Sequence, residues 1–268
     1  MFIRQISIQE ASQLKDFPPE NWYFNFEKFI ETHYGQEYFY ACVAVEDDRI
    51  IGSGNAVISG AVAWLSNIIV IPEYQRQGVG TAITRYLKDY LVKQNCRTLL
   101  LIATAEGRRV YKSVGFKPLC DYYYFRSGDQ SREFTIADQI RKASPQDYPA
   151  ILHLDELTTA EDRSCLLNRY VDTAWVYDRE KEIRGYYIPE FGRGLIIALD
   201  PEAGISLLKF KHHLTDRKTA FPQQNEHALK FFNNYKFENY HNCTRMYWGE
   251  MLPWIPQNIY SYAHGCWG

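Results

Sequence analysis

One stretch, residues 68–80, limits the fold of this chain more than any other, because a strand, a stop, a glycine loop and a helix start follow one another directly. Its first three residues, Ile68 to Val70, are β-branched and favour an extended backbone, and Pro72 ends the strand because proline cannot donate to a sheet. Gly78 and Gly80 leave backbone N–H groups accessible to a ligand. The apolar residues that follow have the spacing of one helix face: Val79, Ala82, Ile83, Tyr86, Leu87, Tyr90 and Leu91. The stretch therefore predicts a strand–loop–helix unit, and the free N–H groups at such a helix start suit a pyrophosphate.

The loop of this unit, Gln75-Arg76-Gln77-Gly78-Val79-Gly80, resembles the acyl-CoA loop of the GNAT acyltransferase superfamily, whose pattern is Gln/Arg-x-x-Gly-x-Gly/Ala. The run into the loop, Val70 to Glu73, is also similar to that family. The alternative is a tight turn without a ligand, which does not account for two glycines flanked by an arginine and two glutamines.

The resemblance implies a set of cofactor-binding residues for acetyl-CoA. The N–H groups from Gln77 to Thr81 would cradle the pyrophosphate, and the strand backbone at Ile69 and Val70 would pair with the pantetheine. The amide of Val70 would be the oxyanion donor that polarises the thioester. The residues assigned to the cofactor are Ile69, Val70, Gln75, Arg76, Gln77, Gly78, Val79, Gly80 and Thr81.

A second segment, Tyr111 to Phe116, resembles the Tyr-x-x-x-Gly-Phe ending of the family's next helix. An apolar, strand-like run from Arg97 to Thr104 precedes it, and Gly115 suits the left-handed end of a helix. The resemblance implies that Tyr111 is the catalytic acid that protonates the departing CoA thiolate, because a phenol is a neutral donor at pH 7. The alternative is a tyrosine that only packs beneath the sheet, in a chain with 21 tyrosines.

Composition and charge narrow the classes of function. A length of 268 residues, 46% of them hydrophobic, allows one large domain or two ordinary ones with a sizeable core. The net charge of −2 does not indicate nucleic acid or a membrane as a partner. The chain has no apolar run of about 20 residues, and its first residues lack the apolar core of a signal peptide, so we expect a cytoplasmic location. Six cysteines without Cys-x-x-Cys spacing predict buried, reduced thiols, and no metal is expected.

The sequence also indicates an internal repeat. Residues Ile3–Glu10 and Ile140–Asp147 both read as a short strand followed by a serine N-cap with an acid in the first turn. Three further pairs follow in the same order: Ile50–Gly52 with Ile183–Gly185, Val70–Pro72 with Leu199–Pro201, and Phe116 with Phe237. The second copy lacks the Gly-x-Gly loop and has Phe232 at the place of Tyr111, so it is expected to lack cofactor chemistry.

Together these patterns predict an α/β chain with mixed sheets, built as tandem GNAT-like folds of which only the N-terminal copy carries the acyl-CoA loop. The predicted domains are a catalytic acetyl-CoA-binding domain at 1–127 and a degenerate GNAT-like domain at 134–250, with a polar linker at Ser127–Glu133. A C-terminal tail follows at 251–268. Two roles of the second domain stay open, shaping the acceptor pocket and forming the surface of a homodimer.

The activity that the resemblance implies is an N-acetyltransferase that moves an acetyl group from acetyl-CoA to a primary amine, with fold-level analogy favouring a small molecule. The base is not assigned, because Trp64 to Asn67 stand where many family members carry a glutamate. Either a water chain from Ser66 or Asn67 removes the amine proton, or a carboxylate such as Glu27 or Glu31 does. Two other functions remain open, a non-catalytic acyl-CoA-binding or sensing module and an assembly or interaction protein.

Overall fold

A computed structural model describes residues 1–19, 24–127, 133–215 and 218–268 of the chain. These residues form two compact units. Unit 1 comprises Met1–Pro118, Met246–Met251 and Gly265–Trp267, and unit 2 comprises Leu119–Arg245, Leu252–His264 and Gly268. The segment 251–268 is therefore divided between the units, while residues 128–132 of the predicted linker lie outside the described residues.

Unit 1 is a mixed sheet with three helices. Its antiparallel strands follow one another in the order β1 to β4, and β5 joins parallel to β4, with residues 246–249 beside β5. The strands are β1 (Phe2–Gln5), β2 (Phe39–Glu46), β3 (Arg49–Ser59), β4 (Val62–Val70) and β5 (Thr98–Ala103). The helices are α1 (Phe26–His33), α2 (Val79–Lys93) and α3 (Gly107–Ser113). Short 3₁₀ helices cover Ile8–Leu14 and Pro72–Tyr74.

Helix α2 packs against β3 at unusually close range. A Cβ atom on Gly52 or Gly54 would lie 2.8 or 2.7 Å from side-chain atoms of Ile83, so only glycine leaves room for the helix. Ile83 and Leu87 of α2 are completely buried in the resulting core. The predicted apolar face of the helix is thus the face that covers the sheet, and it anchors the loop that precedes α2.

Unit 2 contains an antiparallel five-stranded sheet in the order β13-β10-β9-β8-β7. Outside that sheet, β6 lies between β12 and β11, and its pairing with β11 is antiparallel. The strands are β6 (Lys117–Arg126), β7 (Ile140–Lys142), β8 (Trp175–Arg179), β9 (Glu182–Ile188), β10 (Leu195–Ala198), β11 (Thr219–Pro222), β12 (Glu238–Gly249) and β13 (Ile259–Ser261). The helices are α4 (Tyr148–Thr159), α5 (Ser164–Leu167), α6 (Pro201–Leu214) and α7 (Glu226–Asn234). The predicted α/β class with mixed sheets is confirmed.

The order of elements supports the predicted repeat. The first half runs β1-α1-β2-β3-β4-α2-β5-α3-β6, and the second runs β7-α4-β8-β9-β10-α6-β11-α7-β12 with the short α5 as an addition. A shared local motif opens each half. Arg4 donates to both oxygens of Glu10 at 2.8 and 2.6 Å, and Arg141 donates to both oxygens of Asp147 at 2.7 and 2.9 Å. That the second half is a degenerate copy of the first stays a prediction.

The cysteines agree with the expected reduced state. All six lie within the described residues, none forms a disulfide, and five are buried, with Cys165 exposed. Among the helices of the described ranges, none combines the length and the apolar character that crossing a membrane requires.

Candidate functional site

The candidate site begins where two parallel strands of unit 1 part. The pairing of β4 with β5 covers Val62 to Trp64 on one side and Thr98 to Leu100 on the other. Strand β4 continues for six more residues, to Val70, without a further described pairing to β5. One edge of β4 is therefore left open, and its backbone groups are available to an extended ligand.

A β-bulge at Asn67 sets which backbone groups face that open edge. The register of β4 on β3 pairs Ser66 with Asn55 and Ile69 with Ser53, which leaves one extra residue on β4, and Asn67 has a φ of +49°. After the bulge, the N–H of Ile71 donates to Ile51 on β3 at 3.1 Å. Because neighbouring residues of a strand alternate, the N–H of Val70 points away from β3. This orientation suits the oxyanion donor that was predicted at Val70.

The loop after β4 is braced by its own glutamines. Gln75 Nε2 donates to the Val70 carbonyl at 3.0 Å, and Gln77 Nε2 donates to the Glu73 carbonyl at 2.8 Å. Arg76 is exposed, has a φ of +61° and makes no ion pair with a described residue. The side chains of the two glutamines thus hold the loop, while the guanidinium of Arg76 remains available to an anion.

The start of α2 is open. Gly78 is its N-cap, with a φ of +88°, and a Cβ atom there would have no neighbour within 4 Å. The first intrahelical hydrogen bond runs from Ala82 N–H to Gly78 O at 3.0 Å, so the N–H groups from Gly78 to Thr81 lack a partner within the helix. The first turn carries no acid, and a Cβ on Gly80 would meet only Val70 Cγ2 at 3.7 Å. The arrangement can accept an anion without rearrangement.

Tyr111 lies on α3 and packs on the same hydrophobic cluster as Val70 and Ile71. Its ring lies against Gly107, where a Cβ atom would be 2.9 Å from Cε2 of Tyr111. Burial raises the pKa of Tyr111 to about 12, and its hydroxyl makes no hydrogen bond to a described residue. The phenol is therefore protonated at pH 7 and free to donate that proton to a ligand.

The helix of Tyr111 ends as the sequence predicts. Gly115 has a φ of +98°, and the N–H groups of Gly115 and Phe116 donate to Lys112 O and Tyr111 O, both at 3.0 Å. This double hydrogen bond is the Schellman ending of a helix, which requires a residue that tolerates the left-handed conformation.

Sequence reasoning missed two residues that contact the bulge. Asn67 Nδ2 donates to Asn55 Oδ1 at 2.8 Å and lies 3.5 Å from Cys266 Sγ, and Asn55 Nδ2 donates to Ser66 Oγ at 2.9 Å. Asn55 is completely buried, so an amide side chain between the apolar residues of a predicted strand was the signal for it. Cys266 had no such signal, because it lies 199 residues from Asn67 in the sequence.

The two carboxylates considered as bases are not hydrogen-bonded to this network. Glu27 and Glu31 lie on α1, and neither makes a hydrogen bond or an ion pair with a described residue. Of the two options for the base, the polar side chain of Ser66 is at the bulge, where it is partly exposed. For metals, the described ranges contain no group of three or more His, Cys, Asp or Glu residues close enough to hold an ion.

Comparisons with known proteins agree with this geometry. Residues 5–116 match the model of the acetyltransferase (GNAT) family. A stretch of 57 residues is 44% identical to the [ribosomal protein bS18]-alanine N-acetyltransferase of Escherichia coli K12, covering 20% of this chain and 38% of that protein.

Solved structures share the fold over nearly the whole chain. A candidate acetyltransferase from Pyrococcus horikoshii has a TM-score of 0.83 at 20% identity, over 100% of this chain and 95% of that one. A GCN5-related N-acetyltransferase from Sphaerobacter thermophilus has a TM-score of 0.64 at 13% identity, over 95% and 96% of the two chains.

Proposed function

Because residues 5–116 form a domain of the acetyltransferase (GNAT) family, we propose that this protein transfers an acetyl group from acetyl-CoA to a primary amine of a small molecule. The observation that carries the proposal is the open start of α2, where the N–H groups that follow Gly78 have no partner among the described residues. A helix start of this kind binds a diphosphate through hydrogen bonds and through the positive end of the helix dipole.

In this proposal each part of the site has one task. The backbone from Gln77 to Thr81 holds the pyrophosphate, with Gln75 bracing the loop and Arg76 adding positive charge. When bound, acetyl-CoA supplies the activated thioester. The open edge of β4 at Ile69 and Val70 aligns the extended arm, and placing both reactants in one cleft supplies much of the rate increase.

Two groups of the chain act on the reacting atoms: the Val70 N–H stabilises negative charge, and the Tyr111 hydroxyl supplies a proton. The Val70 N–H donates to the carbonyl oxygen as negative charge develops there. Tyr111 gives its proton to the leaving sulfur when the carbon–sulfur bond breaks. The amine proton leaves through water next to Ser66, whose hydroxyl oxygen is held by Asn55. Ser66 is a positioning residue here, because an uncharged serine is too weak a base to keep the proton.

A protein amine is a second candidate acceptor. The relative from Escherichia coli acts, according to its name, on an alanine of a ribosomal protein, and its 57 matching residues favour a related chemistry here. A cytoplasmic location and a homodimer remain predictions from the sequence.

The test is release of the CoA thiol from acetyl-CoA in the presence of small primary amines or of a peptide with an N-terminal alanine. We expect thiol release that depends on the amine and shows saturation with one class of acceptor. Tight acetyl-CoA binding without thiol release for any amine would support the non-catalytic module instead. Failure to bind acetyl-CoA at all would leave only the interaction protein.

A further inference from the structure

Unit 2 contains an arginine whose surroundings are aromatic. Arg193 lies in the loop between β9 and β10, and its backbone N–H donates to the Ala263 carbonyl at 2.9 Å. The guanidinium carbon is 5.6 Å from the ring centre of Tyr124 and 5.7 Å from that of Tyr262. These distances are within the range of a cation–π interaction, so the loop and the two rings fix the position of the guanidinium.

Arg193 has no carboxylate partner among the described residues. Its Nη1 atom is buried without a hydrogen bond, and the titratable groups that interact with the guanidinium include Tyr262, Tyr124, Tyr240, Cys243 and His264. The tyrosines do not supply a negative charge, because burial raises the pKa of Tyr124 well above its ordinary value and also raises that of Tyr240. The positive charge of Arg193 is therefore not neutralised by these rings.

Arg163, a buried arginine of the same unit, shows how the charge of a buried guanidinium is usually compensated. Arg163 donates from Nε to Asp155 at 2.9 Å and from Nη2 to the other oxygen of that carboxylate, as a bidentate pair. Taking a charge out of water is costly unless an opposite charge and hydrogen bonds compensate for it. Arg193 has an enclosed Nη1 atom and no carboxylate partner among the described residues, so its environment there is electrostatically incomplete.

An anion that accepts from the guanidinium of Arg193 would complete this environment. The residue is only partly buried, and Nη1 is the one guanidinium nitrogen that is enclosed without a partner. A guanidinium binds two oxygens of one anion through two of its nitrogens, and a pair that includes Nη1 would give the enclosed nitrogen an acceptor. Further positive charge is close by, because Lys218 lies 5.0 Å from the ring centre of Tyr240, which itself is 6.3 Å from the Tyr124 ring.

We propose that Arg193 forms an oxyanion-binding site of unit 2, which takes the carboxylate or phosphate group of a small molecule on its guanidinium, with Nη1 as one of the donors, while the rings of Tyr124 and Tyr262 hold the guanidinium in place. This site is separate from the proposed acetyl transfer, and it gives the second half a function that its lack of a glycine loop does not suggest.

The experiment is thermal unfolding of the full chain in sodium acetate, sodium phosphate or sodium chloride at equal ionic strength. We expect acetate or phosphate to raise the melting temperature in a saturable way that chloride does not reproduce. Arg193→Gln should remove this response. Arg193→Lys should weaken it about tenfold or more, because lysine keeps the charge but lacks the two-pronged edge. Arg179→Gln is the matched control, since Arg179 is an arginine of the same unit that pairs with Asp200 and Glu202.

The outcomes separate the possible ligands. A response to acetate alone identifies a carboxylate site, and a response to phosphate alone identifies a phosphate site. Phosphate also suits the start of α2, so only the part of its effect that Arg193→Gln removes counts for Arg193. A response that is equal in wild type and in both Arg193 variants, or no saturable response, would overturn the proposal. Acetyl-CoA binding by the same variants tests the proposed site of unit 1 separately. If Arg193→Gln does not fold, the response of Arg193→Lys decides whether Arg193 binds the anion.

Discussion

Helices α2 and α6 start at matching places in the two halves, but they differ in whether a side chain of the protein accepts from their free N–H groups. At α2, the N-cap is Gly78, which has no side chain to offer. At α6, the N-cap is Asp200, whose carboxylate accepts from Ala203 N–H at 3.0 Å and from Arg184 Nε at 3.0 Å. Glu202 adds a second acid in the first turn of α6. The negative charge that a helix start favours is therefore supplied by the chain itself at α6, whereas the first turn of α2 contains no acid.

The strands that precede these helices, β4 and β10, also differ in whether one edge is left open. Within the described residues, the far edge of β4 has no strand partner beyond Trp64, whereas β10 is paired on that side by β13. The ring of Tyr260 on β13 covers α6 so closely that a Cβ atom on Gly204 would be 2.1 Å from its Cζ atom. The comparison shows that one order of elements can present a binding cleft or fill it, depending on a few side chains and on one added strand.

The third difference is between Tyr111 and Phe232. Tyr111 is partly buried and has a hydroxyl without a partner among the described residues. Phe232 on α7 is completely buried, with its ring stacked 4.8 Å from Phe125 and 5.3 Å from Phe221. The first position can serve chemistry, and the second contributes to a core.

Closing the α2 start should have the largest effect. Gly78→Val places a branched side chain among the N–H donors and should weaken acetyl-CoA binding by about 100-fold or more, because each charge-assisted hydrogen bond contributes about 1.5–3 kcal/mol. Isothermal titration with acetyl-CoA measures this loss. Gly60→Val is the control, since Gly60 also has a positive φ, +59°, and open space around it, but lies in the β3–β4 turn. Equal loss in both variants would show that strain, not the ligand, is responsible.

Removing the proposed proton donor should have the second-largest effect. Tyr111→Phe should lower turnover about 100-fold, the lower part of the range for a general acid, while acetyl-CoA affinity stays unchanged. Steady-state kinetics and titration separate the two. Tyr90→Phe, in which the lost hydroxyl belongs to a ring stacked on Tyr40, should leave turnover as in wild type. An unchanged rate for Tyr111→Phe would remove Tyr111 from the mechanism.

Opening the α6 start should affect stability and not binding. Asp200→Ala removes the cap and should lower the free energy of unfolding by about 1–2 kcal/mol. Urea unfolding measures this, with Glu202→Gln as a control of smaller effect, because the Glu202 side chain is 61% exposed. The stoichiometry of acetyl-CoA should stay at one per chain in both variants, since Tyr260 still covers α6. A second bound equivalent in Asp200→Ala would contradict the comparison.

We expect the smallest effect from the arginine–carboxylate pairs at the start of the two halves, Arg4 with Glu10 and Arg141 with Asp147. The hydrogen bonds from Arg4 lower the pKa of Glu10 to about 2. A carboxylate with a lowered pKa stabilises the folded state above its unfolded pKa, about 4.3, and this contribution is lost as the pH falls towards 2. Because the Arg4 side chain is 39% exposed, we expect less than about 1 kcal/mol from Glu10→Gln at pH 6.

Unfolding by urea between pH 2 and pH 6 tests this, with Asp147→Asn as the partner variant. The hydrogen bonds from Arg141 hold the pKa of Asp147 well below its usual range, and Arg141 also binds Asp178. The contribution of Asp147 should therefore persist to lower pH than that of Glu10. The same pH dependence in wild type and in both variants would show that the motifs do not contribute.

The sequence by itself determined the parts of this protein whose causes are local. Three β-branched residues, a proline, two glycines and a helical apolar face specify β4, the loop and α2, because each acts within a few residues of backbone. The same holds for Gly115 at the end of α3 and for the serine–acid motif at residues 7–10. These signals were sufficient to predict the fold class and the match of residues 5–116 to the GNAT family model.

Only the tertiary structure decided which groups meet across the chain. The contact of Asn67 with Cys266, the cover of α6 by Tyr260 and the rings around Arg193 join residues that are 56 or more positions apart. No local propensity encodes such contacts, because they depend on where strands part, bulge or add to a sheet edge. The chain's pattern thus specifies a helix start, while packing determines whether a ligand or the protein's own side chain occupies it.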